Sequence, residues 1–551
     1  MRSKSLFAPS EKFALSGIGL VVLGINPFTS FEPFNAPKFL ILLALSFTLI
    51  FSLIQKMFFA QFRKIDFLLK LILILFIGQS TLSLLFSEIP IFSQLFGIDG
   101  RNTGFLTYFS ALFLFVYYIF ISNEKVVARL IKLLIIIGIL NGLYGLMQFS
   151  GQDPFDWTNS YSPVFGFFGN PNFQSALMGI AGSAVWALFL VKNQDIWVRM
   201  GLLALQMLFV VVIVGTRSQQ GFLILISGLV LSIFFSIKKS LKFGKFRFYY
   251  LALVLMGAFI TLLDILQKVP WTSILYKVSV SNRGDLWRSA WRMAIDHPIF
   301  GVGFDSYEYF YRQYRDETAI VIRGAGTTSN SAHNVFLDIL TIGGFPLFFS
   351  YCALTLYVFY ALIKLNARFT TYQPYVVATG SAWFAFQLQS LISINQIGLA
   401  IWGWVFGGAL IGLEIKTRES KNMGNIANSF KSPNLVMLSI GIALGIVIGY
   451  QPMKADIHFR QAIESRKIEL VLNSAYEWPQ SPQRMFQVAG IFRENKLDDL
   501  SYKVAKDAVK KFPRSFENWE ILYSLANTPV AERELALQKM KSLDPKNPAL
   551  K

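Results

Sequence analysis

Residues 197–237 read WVRMGLLALQMLFVVVIVGTRSQQGFLILISGLVLSIFFSI. Two apolar runs, 197–215 and 219–237, flank a short polar turn. Each has about the 20 residues that a helix needs to cross a roughly 30 Å hydrocarbon core. No water is available there to satisfy the backbone, so a helix is the form such a run takes. The pair reads as a membrane hairpin with Arg217 in its turn.

Outward from this hairpin the pattern repeats. Apolar runs fall at 13–30, 37–55, 66–87, 104–122, 127–149, 172–191, 249–266, 335–363, 374–394, 396–415 and 434–450. With the first two they predict about thirteen transmembrane helices and an all-α, polytopic membrane fold. Composition agrees: 54% of the 551 residues are hydrophobic and only 15% are charged, whereas a soluble chain carries about 25% charge. The basic N-terminus, MRSKSLFAPSEK, leads straight into the first run without a small-residue cleavage site, and reads as an uncleaved span.

A net charge of +19 would point to nucleic acid in a soluble chain. Here the loops account for it, and no nucleic-acid partner is expected. Lys56, Arg63 and Lys64; Lys125 and Arg129; Lys192 and Arg199; Lys238, Lys239, Lys242, Lys245 and Arg247; Lys364 and Arg368; and Lys416, Arg418, Lys421 and Lys431 occupy every second connection. The short connections between them hold almost no basic residues except Arg101 and Arg217. Because Lys and Arg collect in cytoplasmic loops, the N-terminus is expected inside and the C-terminus outside. The lone Cys352 and three histidines, His297, His333 and His458, give no pattern for a metal site, and no cofactor is expected.

Four regions follow: spans one to nine over 1–266, an outer loop over 267–332, spans ten to thirteen over 333–450, and an outer C-terminal domain over 451–551. In the last, Pro479, Pro513 and Pro545 stand 34 and 32 residues apart, with helical patterns such as Ala505, Ala508 and Phe512, then Trp519, Leu522 and Tyr523, between them. That spacing is similar to tetratricopeptide repeats, modules that bind a protein partner or pack on their own membrane domain.

On this topology the informative polar residues share the outer face. They are Arg101 in GIDGRNTG, Asn170 and Asn172 in GNPN, Arg217 in GTRSQQG, Arg283, Arg288 and Arg292 in SNRGDLWRSAWRM, and His333 with Asn334 in SAHNVF. Most of them have a bland alternative. Arg217 could snorkel to the interface, Arg288 and Arg292 could pair locally with Asp285, His333 could be an interfacial cap, and the asparagines could shape a turn. Taken together they suit different work. Planar guanidinium forks match phosphate oxygens in pairs, and a histidine can take a proton from an attacking hydroxyl. No Walker or Rossmann pattern is present, so the donor must arrive already activated, as a lipid diphosphate is.

At these residues the sequence resembles the O-antigen ligase and O-antigen polymerase superfamily, most closely over 165–350. The matching pieces are GNPNFQSALM, the span-joining TRS, RGDLWRSAWRMAIDHPIFGVGFDSY and HNVFLDILTIGGFP. The last follows the family pattern of His-Asn, nine residues and Gly at His333, Asn334 and Gly344, with Leu347 where a glycine is usual. Thr216-Arg217-Ser218 stands where Ser-Arg-Gly is common.

The resemblance implies a GT-C-like fold and a metal-independent, inverting glycosyltransferase in the bacterial inner membrane. Its donor would be a glycan on undecaprenyl diphosphate. Carried over by position, Arg217 and Arg283 would bind the diphosphate and His333 would activate the acceptor hydroxyl. Arg101, Asn172, Arg288 and Asn334 would be accessory, and the outer loop would form the acceptor cleft. A lipid A-core acceptor makes a ligase, a growing glycan a polymerase, and a protein hydroxyl an O-oligosaccharyltransferase; ligase leads narrowly. Outside this class stand a transporter, for which Asp264 and Gly343-Gly344 are the only hints, and a scaffold built on the C-terminal domain.

Overall fold

The computed structural model describes residues 9–53, 62, 65–157, 163–238, 246–265, 278–419 and 435–550. Lys56, Arg63, Lys64, Lys239, Lys242, Lys245, Lys421, Lys431 and the first part, 267–277, of the loop expected outside lie outside the described residues.

Each of the thirteen apolar runs coincides with a helix: Pro9–Leu23, Asn35–Leu53, Phe67–Phe86, Phe105–Ile121, Glu124–Phe149, Pro171–Phe189, Ile196–Gly215, Gln220–Lys238, Phe246–Ile265, Val335–Arg368, Pro374–Ile392, Ile397–Glu419 and Leu435–Ser465. No strand occurs among the described residues. Seven of the helices are long and apolar enough to cross a membrane by length and composition, and Asn35–Phe51 and Phe105–Ile121 are shorter apolar helices. The protein is thus an all-helical, multi-pass membrane protein.

Helix 397–419 is the hub. Its apolar window is buried along its whole length, whereas the other six long ones are at most half buried and turn the rest of their apolar surface outward, as lipid-facing helices do. Small residues set the depth of that packing. A side-chain carbon at Gly408 would lie 2.1 Å from the Phe115 carbonyl oxygen, and one at Gly412 2.3 Å from that of Ile119. Only glycine lets the two backbones approach so closely, the usual device where no water drives helices together.

Polar contacts sort the helix ends into two faces. On one, Arg129 pairs with Glu11 at 2.5 Å, Arg368 with Glu414 at 2.6 Å and Arg418 with Asp66 at 3.1 Å. On the other, the Asn395 amide donates to the Tyr108 hydroxyl at 3.0 Å, that of Gln396 to Asn35 at 2.8 Å, and that of Asn35 to the Gly100 carbonyl at 2.6 Å. Gln220 and Gln389 are hydrogen-bonded on this second face too. The first face takes its cations from the basic connections; the second contains Arg101 and Arg217.

The run expected as one span over 335–363 is interrupted. Gly343 (φ −134°, ψ 21°) and Gly344 (φ 66°, ψ −167°) are not helical, so a leading half-helix from Val335 meets the remaining span at an angle. Backbone bonds hold it to the segment before it in the chain: Val302 N–H donates to Thr341 O at 2.7 Å, and Phe345 N–H to Pro298 O at 2.9 Å. A side-chain carbon at Gly344 would stand 2.3 Å from the Pro298 oxygen. Gly344→Ala is therefore expected to destabilise by about 1–3 kcal/mol from the left-handed backbone alone, with the clash in addition. It should lower the unfolding midpoint of the detergent-solubilised protein, and an unchanged midpoint would show that the break is not needed.

The last helix passes through the expected boundary at 450 and ends at Ser465, because Phe459 and Ala462 pack into the core of the C-terminal domain. Five more helices follow, Ile468–Tyr476, Pro482–Glu494, Asp498–Lys511, Phe516–Ser524 and Val530–Leu543. The domain docks on the second face. Asp456 accepts the Phe31 and Glu32 N–H groups at 2.8 and 2.9 Å. Arg484 pairs with Asp99 at 3.1 Å, Arg514 pairs with Glu88 at 2.7 Å, and Phe92 lies 5.2 Å from Trp478.

Candidate active site

His333 occupies a left-handed backbone conformation, φ 53°, which a non-glycine residue adopts only when its surroundings hold it there. They do. Asn334 caps the half-helix, its side-chain oxygen accepting from Phe336 and Leu337 N–H at 3.0 and 3.2 Å. His333 N–H donates to the Ser331 hydroxyl at 2.8 Å, and that hydroxyl donates to Asp338 at 3.0 Å. The second Asp338 oxygen accepts from Ala332 N–H at 2.7 Å. One carboxylate in the first turn of the half-helix thus fixes the turn that aims the imidazole.

The ring is largely buried. Burial, then the positive charges of Arg283 and Arg101, push its pKa down to about 4, so at neutral pH it is uncharged and can accept a proton. The same interaction places both guanidinium groups within electrostatic reach of His333. Arg283 is itself buried enough to be held below the usual arginine range, and no carboxylate among the described residues pairs with it. Arg101 is more committed. It pairs with Asp305 at 3.3 Å and donates to the Asn330 carbonyl, on the segment that enters His333.

The other expected residues divide. Arg217, also left-handed at φ 57°, is exposed in the turn between helices 196–215 and 220–238. Its neighbour Ser218 donates to the Asn172 side-chain oxygen at 2.7 Å, which joins that turn to the GNPN segment, where Asn170 caps helix 171–189. Arg217 shares the face of His333, but no hydrogen bond or ion pair among the described residues joins it to Arg101, Arg283 or His333. Arg288 is tied to Asp285 and, at 2.7 Å, to Asp316, which also holds Arg292 at 2.5 Å. His297 is edge-on to Phe310 at 5.6 Å, and His458 lies 3.4 Å from Glu477. Phe86, Glu88, Asp296, His297, Phe300 and Phe310 line part of a cavity of about 270 Å³ whose lining includes none of His333, Arg283 and Arg101.

Sequence reasoning missed Asp338, Asp305 and Ser331. Asp338 carried one usable signal, an acidic residue in a helix first turn, but it read as one polar position in an apolar run.

These features define a class, a multi-pass membrane protein with a buried, neutral histidine at a helix start and two arginines within its electrostatic reach. Residues 202–352 match the family model Wzy_C, described as O-antigen ligase. The match takes in Arg217, Arg283, Arg288, His333 and Asn334 and leaves Arg101 and Asn172 outside. It supports a membrane glycan-transferring function of the ligase or polymerase kind. No curated protein matches the chain.

Proposed function

We propose that the protein moves a glycan from undecaprenyl diphosphate to a hydroxyl acceptor on the outer face of the bacterial inner membrane, with the N-terminus cytoplasmic and the C-terminus periplasmic. A lipid A-core acceptor, and hence ligase activity, is the first reading. The observation that carries it is a buried, uncharged His333 that lies within the stretch matching the ligase family model and within electrostatic reach of Arg283 and of Arg101.

In the reaction, His333 takes the proton of the acceptor hydroxyl as its oxygen attacks the anomeric carbon from the face opposite the diphosphate. The bond from that carbon to the diphosphate oxygen breaks, its electron pair leaves on the diphosphate, and the configuration inverts. Arg283, with Arg217 reaching in from its turn, meets the charge that grows on the leaving group. Asp338 and Ser331 keep the imidazole aimed, and Arg101 holds the incoming backbone. The outer loop borders the acceptor.

The test is reconstitution of the purified protein with undecaprenyl-diphosphate glycan and a lipid A-core acceptor, following release of undecaprenyl diphosphate and growth of the acceptor. Turnover only with a growing glycan, or only with a protein hydroxyl, would move the reading to polymerase or protein transferase. No turnover with any of the three would defeat it.

A pH profile follows from the electrostatics. With His333 near 4 in the free protein, kcat/KM should stay level from neutral pH down to about 5. Below about 4 it should fall about tenfold per unit, as the ring gains its proton. A bound diphosphate offsets Arg283 and Arg101, raises the pKa of His333, and should place the acid limb of kcat at higher pH than that of kcat/KM. Coincident limbs would mean that the diphosphate does not lie beside these arginines.

A further inference from the structure

Two outer-loop arginines make contacts that the reaction above does not use. Arg312 and Arg315 lie at the end of helix 307–314, and both are nearly buried. Each holds the backbone that runs toward His333. Arg315 donates to the carbonyls of Thr327 at 2.8 Å and Ala325 at 2.9 Å, and Arg312 donates to those of Ala325 at 3.1 Å and Gly326 at 3.4 Å.

The same guanidinium groups are held from the far end of the chain. Arg315 pairs at 2.5 Å with Asp544, which is buried at the end of helix 530–543, and Arg312 pairs with Glu517 at 3.0 Å and lies 4.3 Å from the Phe516 ring. The Lys546 ammonium donates to the Arg315 carbonyl at 2.9 Å, and the Asn547 amide steadies Asp544 at 3.1 Å. Taking one partner from a buried ion pair leaves a charge without compensation, so this junction is made to stay shut. A recruiting module on a free tether would not bury arginines of the loop it serves.

We propose that the C-terminal domain is a brace for the catalytic segment, with Arg312, Arg315, Glu517 and Asp544 as positioning residues that set where His333 stands. This rests on the transferase reading for its consequence and on the contacts alone for its mechanics. Backbone 325–327 is gripped by the two arginines, Asn330 by Arg101, and 331–333 by Asp338. The last two helices of the domain are therefore mechanically continuous with the imidazole.

Asp544→Asn keeps the shape of the side chain and removes its charge. In the full-length protein, amide hydrogen exchange over 325–333 should become faster while the membrane helices exchange as before. With glycan donor and acceptor, kcat should fall on the order of 10²-fold, the effect of about 1 Å of misplacement, with KM for the acceptor nearly unchanged. A domain that recruits the acceptor would instead raise KM and leave kcat alone, and that result overturns the brace.

A milder variant guards against simple misfolding. Glu517→Gln leaves Arg312 on the Ala325 and Gly326 carbonyls and beside Asp544 and removes only its other carboxylate, so it should slow turnover less than Asp544→Asn and speed exchange over 325–333 to a smaller degree; turnover and exchange unchanged in both variants also overturns the proposal. Wild-type turnover in the same assay belongs to the transferase reading, and exchange in Asp544→Asn to the brace, so failure of one is not mistaken for failure of the other.

Discussion

His333→Ala is expected to give a folded membrane protein that transfers glycan about 10²–10⁴ times more slowly, the usual worth of a positioned acid–base group. The fold should survive because the turn does not depend on the imidazole. Ser331 and Asp338 hold it through the backbone N–H groups of 332 and 333, and the cap is Asn334. The left-handed strain of about 1–2 kcal/mol is already borne by His333 itself, so alanine adds little to it. His333→Asn separates the two contributions. Asparagine tolerates φ near 53° and keeps hydrogen-bonding capacity, but it cannot take a proton at neutral pH. Equal loss in both variants assigns the effect to proton transfer. If His333→Asn retained more than a third of wild-type turnover, the imidazole would not be the base.

The helices were legible because burial in lipid leaves one local mark, an unbroken apolar run, at every span. Loop charge was equally local, so the alternating basic connections agree with the two faces that the ion pairs define. What escaped depended on partners far away in the chain. The break at Gly343-Gly344 lies within an apolar run, and what requires it is the Pro298 carbonyl on another segment. The final helix was cut at 450 because QPMKADIHFRQAIES is polar, yet Phe459 and Ala462 are buried against a soluble core rather than lipid.

In the site, residues that stand out by type were found: a histidine at a helix start and arginines on a face that should lack them. Arg288 stood out equally, and its carboxylates Asp285 and Asp316 now account for it. The Arg315–Asp544 pair is invisible in the sequence because nothing local marks a carboxylate whose arginine lies 229 residues away, and the place of Asp338 in a helix first turn does not say that the turn at His333 hangs on it.

Arg283→Ala is expected to lower kcat/KM by about 10²–10³, the loss seen when one preorganised donor to a developing anion is removed, and also to move the acid limb of its pH profile upward. The second effect follows in sign from the first structure-based fact about the site. Arg283 is one of the two charges that hold His333 down near 4; without it the protonated ring is less disfavoured, so proton binding begins at higher pH. Arg283→Lys divides the roles. Lysine keeps the positive charge, so the limb should stay near its wild-type position, but it lacks the planar fork that meets two phosphate oxygens at once, so the rate should stay low. Arg101→Ala makes the contrast sharp. It too removes charge from His333, but it also releases Asn330 and leaves Asp305, whose other oxygen accepts Ile98 N–H at 2.9 Å, without its cation. Its losses should therefore extend to faster exchange across the 330–333 turn, which Arg283→Ala should leave protected. A rate within threefold of wild type and an unmoved limb for Arg283→Ala would remove this arginine from the reacting diphosphate and leave Arg217 as the remaining candidate on that face.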